Sequence, residues 1–143
     1  MRLRDDEVVF VVDEDAGFHV ARGITDAGGR AVLVVDKAGS GAKDRQWIPL
    51  AREWGNAIVT RDLAMRRTPA ETAALLASNC HTFILRAGNL KLDDLYALAR
   101  DMYRPMLRYV TTRFPPFLAT VSSSGISVQR DGGRRGGPKP PKS

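Results

Sequence analysis

Apolar residues along the chain fall into short runs separated by polar turns. Val8-Val9-Phe10-Val11-Val12 is a continuous run of β-formers, the pattern of a strand buried on both faces of a parallel sheet. Ala31-Val32-Leu33-Val34-Val35 repeats the pattern as a second buried strand, Ala57-Ile58-Val59-Thr60 as a third and His81-Thr82-Phe83-Ile84-Leu85 as a fourth. Between these runs the period changes. Phe18, Ala21, Ile24 and Ala27 recur at helical spacing until Gly28-Gly29 stops the helix. Trp47, Ile48, Ala51 and Trp54 share a helical face closed by Gly55. Pro49 lies inside that stretch and removes a backbone bond, so a helix entered at Asp44 either bends there or starts later. Thr68-Pro69-Ala70-Glu71 combines an N-cap, a proline in the first turn and a glutamate placed for a capping box, and predicts a helix running to Asn79. A long helix is expected from about Leu92 to Arg113, with Leu95, Leu98, Ala99, Met102, Met106, Tyr109 and Val110 facing inward and a kink at Pro105. Pro115-Pro116 ends it. Leu118 to Val121 and Ile126 to Val128 then flank Ser123-Ser124-Gly125 as a terminal hairpin.

Strands alternating with helices imply an α/β protein, a three-layer α/β/α sandwich with a mainly parallel central sheet plus the C-terminal hairpin. A chain of 143 residues suits one domain, placed here at 1–130. Residues 131–143 are basic, rich in Gly and Pro and without an apolar face, and are expected to be disordered. Of the formal charge of +6, +4 lies in residues 129–143, where Arg130, Arg134, Arg135, Lys139 and Lys142 outweigh Asp131. Such a tail suits a polyanion such as nucleic acid, or merely aids solubility. No apolar run is long enough to span a bilayer, and Asp5-Asp6-Glu7 stands where a signal peptide needs its apolar stretch; a cytoplasmic location is expected. The lone Cys80 reads as a small buried thiol, and the isolated His19 and His81 read as structural residues.

In open α/β sheets ligands bind beyond the carboxyl ends of the strands. Asp13-Glu14-Asp15 follows the first strand, Asp36 the second, and Arg61-Asp62 the third, while Asp44 stands at the entry to the second helix. Singly, each aspartate has an ordinary explanation as a turn former or N-cap. Gathered on one edge, they would repel one another without a counter-cation. Carboxylates without His or Cys partners select a hard ion, Mg²⁺ or Mn²⁺. Such an ion can hold a phosphodiester and activate water for hydrolysis of a nucleic-acid backbone. Lys37, Lys43, Arg61, Arg66 and Arg67 are the nearby cations that could receive substrate phosphates.

The order of these pieces resembles the PIN-domain nucleases, the VapC toxins among them. Those proteins open with an apolar strand ending in Asp, here Val8 to Asp13. Further on come an Asp at the head of a helix, a short gap, another apolar strand and Thr-x-Asp; here these are Asp44-Arg45-Gln46-Trp47, then Ala51 to Asn56, then Ala57-Ile58-Val59-Thr60-Arg61-Asp62. The compact PIN-like branch is the closer match. There Asp-x-x-Trp opens the middle helix, and an Ala/Thr-Gly-Asn turn, here Ala87-Gly88-Asn89, follows the fourth strand. The resemblance covers roughly residues 8–128. It implies that Asp13, Asp44 and Asp62 are catalytic carboxylates that hold Mg²⁺ (or Mn²⁺), with Thr60 orienting a ligand or water and Asn89 on the substrate side. It implies RNA cleavage, control by a cognate antitoxin protein, and a homodimer. Larger members carry a further acid, usually Glu, between the first two positions. Glu14 should point away from Asp13, and Asp26 lies late in a helix at the wrong edge. Asp36, which ends a strand, is the best substitute and Asp15 the second.

Two other readings stay open at this point. Bacterial response-regulator receivers also place acids after their first strand and a phosphorylated Asp after their third, here Asp62. They need Ser or Thr at the end of strand four and Lys-Pro at the end of strand five, whereas strand four here ends Ile84-Leu85-Arg86-Ala87. A catalytically inactive PIN-like binding module would share the whole pattern, since fold alone does not confer activity.

Overall fold

The computed structural model describes residues 3–61, 68–86 and 90–135. Six strands form one sheet in the order β2-β1-β3-β4-β5-β6. They are β1 (Phe10–Val12), β2 (Ala31–Leu33), β3 (Ala57–Arg61), β4 (His81–Leu85), β5 (Phe117–Ser122) and β6 (Gly125–Arg130). The first five run parallel, and β6 returns antiparallel to β5 as the expected hairpin. The helices are α1 (Gly17–Asp26), α2 (Val34–Ala38), α3 (Asp44–Trp47), α4 (Ala51–Trp54), α5 (Pro69–Ala77) and α6 (Leu92–Thr112). The protein is thus an α/β sandwich with a mostly parallel sheet.

Strand side chains alternate between faces, and this sorts the core into two layers. Phe10, Val12, Val59, Phe83 and Phe117 pack with Val20 and Ile24 of α1 and with Leu95, Met102, Met106 and Val110 of α6. Val11 and Ile58, on the opposite face, pack with Val34, Trp47, Ile48, Ala51 and Leu75. Gly23 lets α1 and α6 approach closely, because a Cβ there would come 2.5 Å from the Tyr96 carbonyl oxygen.

Two expectations are revised, and the open question at Pro49 is resolved as a break in the helix. The second apolar run does not form a five-residue buried strand. Only Ala31–Leu33 is extended, and it is half-buried at the sheet edge, while Val34 and Val35 begin a helix. An edge strand pairs on one side only, so fewer ladder bonds hold the run extended. Pro49 resolves the middle helix into three pieces: α3, a 3-10 turn at Ile48–Leu50, and α4. Residues 131–135, expected to be disordered, are ordered, and residues 136–143 lie outside the described residues. Residues 131–135 pack back on the end of α6, with the Phe114 N–H donating to the Gly133 carbonyl and the Arg135 N–H to Thr112. An Arg113–Asp131 ion pair at 3.1 Å holds the same segment.

The start of α5 follows the sequence reading: Thr68 Oγ1 accepts the Glu71 N–H at 3.1 Å. The helix stops at Ala77 rather than Asn79, which adopts φ 60°, a left-handed conformation that asparagine tolerates well. No helix among the described residues is long and apolar enough to cross a membrane.

Candidate active site

The strand order reverses direction between β1 and β3, the switch point where a crevice opens beyond the carboxyl ends of a doubly wound sheet. Asp13 is the first residue past β1. Its N–H continues the ladder to the Val59 carbonyl at 2.9 Å, while its own carbonyl accepts from Ala16 at 3.1 Å and Gly17 at 2.9 Å. The backbone is therefore tied to β3 on one side and to the entry of α1 on the other. Its side chain is only 8% exposed, and Oδ2 accepts the Thr60 hydroxyl at 2.8 Å.

Burial pushes the Asp13 carboxyl above the ordinary aspartate range, and the charges of Asp15 and Asp44 push it the same way. The Thr60 hydroxyl and the Glu14 N–H oppose them. Asp13 thus feels two further acids at the switch point, an arrangement that a bound cation would relieve.

Asp44 opens α3, and its Oδ1 accepts the Trp47 indole N–H at 3.2 Å. That tryptophan is anchored in the core at 1% exposure. The Asp-x-x-Trp spacing therefore has a local cause. One helical turn brings the indole nitrogen back over the first residue, and the buried ring fixes the carboxylate.

Glu14 does point elsewhere. It accepts the Gly41 N–H and the Ser40 hydroxyl, both at 2.9 Å, and these two donors, Gly41 above all, hold its carboxyl below the usual range. It pins the Gly39-Ser40-Gly41 loop next to α3. Sequence reasoning missed this clamp. Its only signal was an acid at the strand end with a glycine-rich loop ahead that could offer free N–H groups.

Asp36 was expected to end a strand on the site rim. It lies instead in α2, exposed, on a groove of about 500 Å³ shared with Phe18, Arg22, Thr25 and Lys37. The cause is the early end of β2, which turns Asp36 and Lys37 into helical positions. Asp15, the second choice for a fourth acid, is the one whose charge bears on Asp13. Lys43 directly precedes Asp44, and Arg61 ends β3 with one guanidinium N–H on the Leu90 carbonyl at 3.1 Å. Asp62, Arg66, Arg67 and Asn89 lie outside the described residues. Among the described residues no three acidic, histidine or cysteine side chains come close enough to ligate one ion. Asp13 and Asp44 supply hard oxygen donors of the kind Mg²⁺ takes, and the next position in the resemblance is Asp62.

The strand order is also that of phosphoacceptor receivers. β4, however, ends on Leu85 and β5 on Ser122 with no lysine behind it, so the groups a receiver needs are not in place.

A family model described as a PIN-like domain matches residues 8–87, more than half of the chain and every element of this crevice. No curated protein and no solved structure matches the chain.

Proposed function

Since the chain belongs to the PIN-like domain family, whose members are generally nucleases, we propose that it is a Mg²⁺-dependent endoribonuclease acting as the toxin of a toxin–antitoxin pair. The observation that carries this reading is the buried Asp13 at the β1/β3 switch point, pressed by the charges of Asp15 and Asp44. Asp13, Asp44 and Asp62 would hold the ion. When bound, Mg²⁺ or Mn²⁺ would neutralise charge on the phosphodiester and increase the acidity of the attacking water.

The chain's own residues do the rest. Thr60 holds one Asp13 oxygen by hydrogen bonding and so fixes the carboxylate at the end of β1. Trp47 fixes the Asp44 carboxylate before any ligand arrives, so little reorganisation is needed. Lys43 and Arg61 flank the acids and would receive the phosphates on either side of the cleaved bond. The leaving oxygen departs by hydrolysis, with no covalent enzyme intermediate. A cognate antitoxin and a second copy of the chain are the proposed protein partners, and the cytoplasm the proposed location.

The test is cleavage of a mixed RNA pool by wild type, Asp13→Asn and Asp62→Asn, with Mg²⁺ and with EDTA. Metal-dependent cutting lost in both variants supports the reading. Folded wild type that cuts nothing, yet still binds RNA, would make the protein a catalytically inactive PIN-like module.

A further inference from the structure

A second polar cavity lies at the opposite edge of the sheet. It opens beside His81, the first residue of β4, and is roughly 13 Å along the strand from the carboxyl end where the acids gather. Its volume is about 300 Å³, and Arg52, Asn56, Asn79, Phe114 and Arg135 line it with His81.

Two guanidiniums converge here without a carboxylate. Arg52 Nη1 donates to the Gly55 carbonyl at 3.2 Å, and Arg135 Nε donates to the Arg113 carbonyl at 2.8 Å while its Cζ lies 4.7 Å from the centre of the Phe114 ring. Each group is therefore held by one backbone contact, Arg135 by the Phe114 ring as well, with its other N–H donors left over. Among the described residues neither has an ion-pair partner. Asp131, the acid that reaches this corner, is already committed to Arg113 at 3.1 Å. The two arginines sense one another: burial first, then the Arg52 charge, pulls the Arg135 guanidinium below its ordinary value. Asn56 spends its carbonyl oxygen on the Val9 N–H at 2.9 Å, which leaves its NH₂ as a further donor. His81 adds no charge: burial keeps the ring neutral although its Nε2 is bound to the Arg113 carbonyl at 2.9 Å.

We propose that this cavity is a phosphate-binding site, in which Arg52 and Arg135 clamp the oxyanion of a mononucleotide or of a 5′-phosphorylated RNA end. Arginines held in place by backbone contacts, with N–H donors to spare, are the standard recognition chemistry for phosphate. The volume sits at the lower end of ligand cavities, which suits a single nucleotide and excludes a folded RNA. The site is separate from the acidic crevice and does not depend on how that crevice is used.

Calorimetric titration of the full chain in EDTA tests it, with inorganic phosphate, AMP, adenosine, and a short oligoribonucleotide carrying either a 5′-phosphate or a 5′-hydroxyl. AMP is expected to bind and adenosine not to. A preference for the 5′-phosphorylated strand over its 5′-hydroxyl form identifies an RNA end as the source, whereas AMP or phosphate binding without that preference identifies a free small anion. Arg52→Gln and Arg135→Gln should each weaken AMP binding about tenfold or more, with Arg135→Lys retaining part of it. Arg52 is exposed, so its variant keeps the fold, and a matching melting temperature would verify this. Absence of binding by all phosphate-bearing probes, or binding unaltered in both glutamine variants, would overturn the proposal.

Discussion

The Thr60 hydroxyl donates to Asp13 Oδ2 at 2.8 Å, linking two residues that are far apart in sequence but adjacent across β1 and β3. Both are buried, Asp13 at 8% and Thr60 at 2% exposure. A buried carboxylate that loses its donor is left with its full desolvation cost. Thr60→Val should therefore destabilise the protein by about 1–3 kcal/mol, while Thr60→Ser, which keeps the hydroxyl, should recover most of the loss. Urea unfolding of the three proteins checks this. A valine variant as stable as wild type would mean that the hydrogen bond does not support a charged Asp13.

Asp13 itself carries the opposite prediction. Burial and the neighbouring Asp15 and Asp44 charges all disfavour its ionised form. Asparagine keeps an acceptor for Thr60 and removes the charge. Asp13→Asn should raise stability in EDTA at neutral pH by about 1 kcal/mol, the usual sign when a functional site is relieved of strain. Adding Mg²⁺ should then raise the melting temperature of wild type and leave the variant unmoved. If the variant melts lower than wild type in EDTA, the carboxylate is not under electrostatic pressure.

Much of this was legible in the sequence because it depends on local physics. Continuous apolar runs marked β1, β3 and β4, and the Thr68-Pro69 start marked α5. Asp13 and Asp44 could be located because strand ends and helix starts are fixed by the same patterns. What failed depended on neighbours that are distant in sequence. Val34 and Val35 look like strand residues, yet at the sheet edge they become the first turn of α2 and carry Asp36 into a different groove. Arg135 looks like part of a polar tail, and only the Arg113 carbonyl and the exposed Phe114 ring at the end of α6 give it a place. Glu14 behaved as strand alternation required, but its partners could not be read from spacing.

Thr82 gives a prediction with no functional content. It stands mid-strand in β4, in register with Ile58 and Leu118, and its hydroxyl is buried without a hydrogen-bond partner among the described residues. Valine has nearly the same shape, prefers strands and removes the unpaired group. Thr82→Val should stabilise the protein by about 1 kcal/mol, read as a higher urea midpoint at unchanged slope. A lower midpoint would show that the hydroxyl has a partner, such as a buried water.

His81 predicts how the fold responds to acid. The ring is 2% exposed, bonds the Arg113 carbonyl through Nε2 and lies 5.2 Å from the Phe117 ring. Burial depresses its pKa to about 4, with the Arg135 and Arg52 charges adding to the effect while the Arg113 carbonyl and Asp131 oppose it. The unfolded chain takes up this proton near pH 6.5 and the native protein only near 4. Between those values the unfolded state binds more protons, so stability rises with pH there. The contribution is complete above about pH 6.5 and is lost as pH falls toward 4, by at most about 3 kcal/mol. His81→Gln keeps an N–H for Arg113 and does not titrate. The variant should be less stable than wild type at pH 7, because it gives up the ring packing on Phe117, but its stability should fall less between pH 7 and pH 4.5. The carboxylates titrate in both proteins, so the difference between the two urea-unfolding series isolates His81. Parallel series would assign the acid sensitivity to other groups and would mean that His81 accepts a proton in the native state as readily as in the unfolded chain.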